Sequence, residues 1–150
     1  MLNKIKRFFE ENLLPVAGVD DDGRAIQFAT AALMLELARA DFEQDEREAT
    51  LIVELLEKTF GMTQADLQNL LALAASASEE ANDVFQFTQL VNQHYGHDAK
   101  IQLVENLWQV ALADGRLDKY EEQFIRKISG LLHVAHADFI KAKLRAKDNT

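Results

Sequence analysis

A chain of 150 residues with 48% hydrophobic content is about one domain long and carries enough apolar side chain to fill a core. Its formal net charge of -9, from 25 acidic against 16 basic residues, leaves no basic face broad enough to follow a phosphate backbone, so nucleic acid is not an expected partner. The absence of cysteine excludes a disulfide framework and thiolate zinc or iron sites.

The opening stretch MLNKIKRFFEENLLP places Leu2, Ile5, Phe8, Phe9 and Leu13 on one stripe, largely apart from Lys4, Lys6, Arg7, Glu10 and Glu11. That spacing predicts an amphipathic helix ended by Pro15. It has neither the apolar run nor the cleavage site of a signal peptide, and no later stretch reaches the ~18 apolar residues of a membrane span. A cytoplasmic protein without a transmembrane segment is expected. The stripe suits docking on the rest of the bundle or on a second copy, which would make a homodimer. Its three basic residues also suit peripheral contact with an anionic membrane, but the two glutamates that follow favour docking.

GVDDDGR then reads as an acidic loop, dividing the chain into 1–23, the N-terminal helix and loop, and 24–150, a helical domain. Apolar positions recurring at three and four residues predict helices over 24–40, 46–60, 64–77, 83–95, 99–113, 119–133 and 137–147. Gly96 is expected in the left-handed position that closes the fourth of these. One proline and six glycines leave little punctuation for strands. The fold class is all-α: a compact bundle of about seven helices with an extra N-terminal amphipathic helix.

An internal repeat organises this bundle. LARADFEQDEREATLIVELL and VALADGRLDKYEEQFIRKIS align without a gap, 73 residues apart, as Asp41 is from Asp114. Asp45 then pairs with Asp118 and Glu48 with Glu121, while Met34, Leu37, Ile52 and Leu55 pair with Leu107, Val110, Ile125 and Ile128. After one deleted residue MTQADL matches VAHADF. Two pseudo-repeated helical hairpins follow, packed about an approximate two-fold axis.

Each acidic turn has a structural reading first. Asp45 and Asp118 stand three residues before Glu48 and Glu121 at the start of an apolar helical run, the pattern of a capping box. Gly115 suits the left-handed residue that closes the preceding helix. Asp41 and Asp114 fit less easily, because a carboxylate near a helix C-terminus is disfavoured by about 0.3–1 kcal/mol. Hydrogen bonds across the turn would compensate, and so would a divalent cation ligated by Asp114, Asp118 and Glu121, with Asp41, Asp45 and Glu48 as the first-repeat counterparts. Oxygen ligands favour calcium or magnesium over zinc, although calcium takes about 6–8 oxygens and the spacing is not that of an EF-hand.

ALADGRLDKYEEQFIRKI, with its A-D-G-x-x-D-x-x-E core ahead of a helix, resembles the signature of the TerB-like family of tellurite-resistance proteins, whose fold is also found in the N-terminal domain of a membrane-anchored DnaJ-like co-chaperone. The resemblance covers roughly residues 24–147. It implies a compact bundle of about seven helices and a cation-binding cluster at Asp114, Gly115, Asp118 and Glu121. Phe42 stands where the first repeat would need the glycine, so the two turns are not expected to be equally open.

Other constellations carry less. HYGHD and HVAH each hold an H-x-x-H pair, His94 with His97 and His133 with His136, but both straddle helix ends and lack a third zinc ligand. Phe85, Phe87, Tyr95 and Trp108 are expected in the core. There is no G-x-S-x-G, no phosphate-cradling glycine loop, no H-E-x-x-H and no cysteine nucleophile. The leading expectation is a non-enzymatic, TerB-like stress-response module that scaffolds protein partners. A divalent-cation sensor is the alternative, and a metal-dependent hydrolase using the paired carboxylates the third reading.

Overall fold

The computed structural model describes residues 21–40, 46–80, 84–113, 115 and 117–148; the N-terminal helix expected over residues 2–13 lies outside them. Seven α-helices follow in order: α1 (Asp21–Ala40), α2 (Glu46–Phe60), α3 (Gln64–Glu80), α4 (Phe85–His94), α5 (His97–Ala111), α6 (Lys119–Leu131) and α7 (His136–Asp148). No strand occurs among the described residues. The all-α bundle expected from periodicity is therefore what the chain forms.

Two helices make the centre. In α1 every residue from Ile26 to Met34 is buried, and in α5 every residue from Leu103 to Trp108 is. A helix covered on all sides needs neighbours all round, and these two have them: α1 packs on α2, α3, α4, α5 and α6, and α5 on α1, α2, α6 and α7. The largest fully buried side chains include Trp108, Phe28, Phe87, Leu33 and Leu37, each contributing about 1.5–3 kcal/mol through removal from water.

The repeat is visible in the packing. Helix α2 begins at Glu46 and α6 at Lys119, the 73-residue offset of the sequence alignment; α3 and α7 begin at Gln64 and His136, the offset after the deletion. Three packing pairs have counterparts when the halves are swapped, α1 on α2 matching α5 on α6. Helix α1 lies on α3 as α5 lies on α7, and α1 reaches α6 as α5 reaches α2. The aligned apolar pairs Met34 and Leu107, Leu37 and Val110, Ile52 and Ile125, and Leu55 and Ile128 are buried in both halves.

Three local expectations are corrected. Helix α1 starts at Asp21 and not at Arg24, so part of the acidic loop is its first turn. Gly96 is not left-handed: with φ −78° and ψ −179° it is the N-cap of α5, because the chain passes through extended Tyr95 directly into the next helix. Phe85 is 43% exposed and not in the core, being the first residue of α4, while Phe87 and Trp108 are fully buried and Tyr95 half-buried.

Candidate functional site: the acidic turns

The second acidic turn is built by the end of α5 and the start of α6. Helix α5 closes at Leu112, whose N–H donates to Trp108 O at 3.0 Å, and Gly115 follows with φ +79° and its N–H on Leu112 O at 3.0 Å. The glycine is thus in the left-handed region the turn requires, inside the loop and beyond the helix's own closing residue. A β-carbon there would meet nothing within 4 Å, so conformation and not crowding selects glycine.

Asp118 is extended, with φ −77° and ψ 138°, and caps α6. Its Oδ1 accepts from Tyr120 N–H at 2.7 Å and Glu121 N–H at 3.4 Å, while its own carbonyl accepts the first helical bond from Glu122 N–H. Two of the four N–H groups that a helix start leaves without helical partners are satisfied by one carboxylate. Glu121, third in α6, is fully buried, and its counterpart Glu48, third in α2, is 1% exposed. Two carboxylates this deep are unusual, since burying a charge is costly without compensation; the positive end of each helix supplies part of it.

Of the six candidate ligands, then, Asp118, Glu121 and Glu48 have described positions at the starts of α6 and α2, whereas Asp41, Asp45 and Asp114 lie outside the described residues. Among the described residues no three His, Asp or Glu side chains gather as a metal set would. The histidine pairs sit on the surface. His94 ends α4, His97 opens α5 with Nε2 3.5 Å from Asp138 Oδ2, His133 follows α6, and His136 opens α7 stacked on Phe139.

A second polar arrangement, not expected from sequence, ties α5 and α6 to α7. Buried Glu105 accepts from Arg145 Nε at 3.1 Å, and Glu122 lies 3.5 Å from Lys143 Nζ and 3.9 Å from Arg126. Lys143 stands over the Trp108 ring at 5.1 Å and Arg126 over Phe139 at 5.2 Å. The signal that could have found Glu105 is a lone carboxylate inside the apolar run QLVENLWQV; its partner, 40 residues on, has no local signature. Elsewhere, burial raises the Glu36 carboxyl above the ordinary glutamate range, with Arg39 partly opposing, and raises the Tyr95 phenol.

No described helix is long and apolar enough to cross a membrane. Comparison with curated proteins and with solved structures finds no match. Residues 27–144 match the family described as tellurite resistance protein TerB, a span running from the first turns of α1 into α7. With that match over most of its length, carried on an all-helical bundle, the chain belongs to the TerB family.

Proposed function

We propose that the chain is a non-enzymatic, cytoplasmic module of a stress response of the tellurite-resistance kind, and that it acts by binding protein partners. The family supports the setting. The observation that carries the non-catalytic reading is the Asp118 cap: the carboxylate at the centre of the family-like motif is held by helix N–H groups as an element of the fold. Glu105 and Glu122 are similarly engaged by Arg145, Lys143 and Arg126. Tyr120, 43% exposed directly after the acidic turn, is a side chain a partner would meet there. A photo-crosslinking residue at position 120, introduced into the full chain in cells with and without tellurite, tests this. A discrete partner captured under challenge, and lost with a Lys119→Glu change, is the expected result; turnover of a substrate by the purified protein, lost in Asp118→Asn, would replace the reading with an enzymatic one.

A second reading is favoured by the matched burial of Glu48 and Glu121: a divalent cation, calcium or magnesium, held at the acidic turns with Asp114, Asp118 and Glu121 and their counterparts Asp41, Asp45 and Glu48. Its test is an amide NMR titration of chelator-treated protein with calcium, magnesium, manganese and zinc. Saturable shifts from Gly115 to Glu121, absent in a folded Asp114→Asn, Asp118→Asn variant, support the site; no shift at millimolar cation removes it.

A further inference from the structure

We propose that the chain associates with a second copy of itself, the acidic outer stripe of α2 on one molecule lying antiparallel along the basic outer stripe of α6 on the other.

The two hairpins share a burial pattern and reverse their surface charge. Helix α2 buries Glu48, Ile52, Leu55 and Leu56, and α6 buries the corresponding Glu121, Ile125, Ile128 and Ser129. With the inner faces matched, the outer faces match position by position as well. On α2 the outward stripe carries Glu46, Thr50 and Glu54, all exposed; on α6 the same three positions are Lys119, Gln123 and Lys127, also exposed. Acid, neutral, acid on one helix stands in the register of base, neutral, base on the other. Glu57 adds a carboxylate one turn beyond Glu54, where α6 has Gly130. The basic residues of α2, Arg47 and Lys58, fall to one side of its stripe, and the acidic residues of α6 lie inward of its own, Glu121 buried and Glu122 held by Lys143 and Arg126.

The outer two charges of each stripe are separated by the same rise, about 12 Å along the helix axis. An antiparallel pair therefore sets Glu46 against Lys127, Thr50 against Gln123 and Glu54 against Lys119 at once. Among the described residues no ion pair involves Glu46, Glu54 or Lys127, and Lys119 lies over the Tyr120 ring at 5.1 Å while still exposed, so these charges are open to a second molecule. At a net charge of -9 two copies repel at long range. At physiological ionic strength that repulsion is screened beyond about 8 Å, whereas charges brought together in an interface are screened much less, so the stripes decide how two copies meet. The contact joins two different helices and is heterologous.

Amide NMR spectra of the isotope-labelled full chain, from dilute to millimolar protein, test this on the parent, on a Lys119→Glu, Lys127→Glu variant and on a Glu46→Lys, Glu54→Lys variant. All four positions are exposed, and dispersed spectra verify that each variant is folded. The expected result is concentration-dependent shifts in the parent centred on residues 46–57 and 119–127, lost in either variant by itself and regained in an equimolar mixture of the two. In that mixture the acidic α2 of the first variant meets the basic α6 of the second, and the acidic α6 of the first meets the basic α2 of the second. No concentration-dependent shift in the parent, shifts centred on another surface, shifts that persist in either variant, or no return in the mixture would overturn the proposal. Only the purified chain is present, so the outcome is independent of the partner capture in cells.

Discussion

Gly61 and His133 occupy matching places in the two halves, Gly61 directly after α2 and His133 after Leu132, the residue that closes α6, and both are left-handed, with φ 63° and 61°. The two ends do the same work with different residues. After α6, Val134 N–H reaches Ser129 O at 2.9 Å and His133 N–H reaches Gly130 O at 3.1 Å, the paired bonds of a Schellman motif; after α2, Gly61 N–H reaches Glu57 O at 2.8 Å.

A side chain in this conformation costs about 1–2 kcal/mol that glycine does not incur. Gly61→Ala is therefore expected to destabilise the fold by about 1 kcal/mol, and His133→Gly to stabilise it by up to about 1 kcal/mol, the gain being reduced by glycine's greater unfolded entropy. Urea unfolding midpoints moving in opposite directions for the two variants check this.

The Asp118 cap gives a chemical contrast. Asp118→Ala removes the acceptor for Tyr120 and Glu121 N–H and is expected to cost about 1 kcal/mol, whereas Asp118→Asn keeps an oxygen in place and should cost only a fraction of that. Thermal unfolding of both variants in chelator measures the cap free of any cation contribution.

Glu105 and Arg145 are unequal partners, the glutamate side chain 8% exposed and the arginine 50%. Removing the arginine leaves a buried carboxylate to be desolvated alone, so Arg145→Ala is expected to cost about 1–3 kcal/mol, more than an exposed pair would. Adding Glu105→Gln should recover part of the loss, since a neutral amide is cheaper to bury. A double-mutant cycle by chemical denaturation reads both quantities.

Glu36 sets a pH dependence. Burial raises its folded carboxyl above the ordinary value of 4.5. The folded state therefore holds this proton more tightly than the unfolded chain, so its contribution is full below that ordinary value and is lost as the pH rises through the raised one. Glu36→Gln should leave stability at acidic pH little changed and increase it at neutral pH, the difference between variant and parent opening from about pH 4.5 upward. Unfolding free energies across pH 3.5–7 on both proteins, about that range, test the sign.

Most of what is local in this fold was legible in the sequence. Seven helices, the duplicated hairpin, the cap at Asp118 and the buried apolar frame from Met34 to Ile128 all follow from residues within four positions of one another, where helical periodicity and capping act. The misplacements are local too, but contextual. Gly96 looked like a helix end and serves as a helix start, because a neighbouring helix begins at once and its N–H groups set the backbone there.

By itself, then, the sequence determined the helices, their order and the two-fold kinship of the halves, since each depends on short-range spacing repeated along the chain. Only the tertiary structure decided that Glu48 and Glu121 are buried, that Glu105 takes Arg145, and that α4 seats on α1. Those outcomes join residues tens of positions apart. Which side of an amphipathic helix meets which neighbour is settled by packing the whole core at once, and no local pattern encodes it.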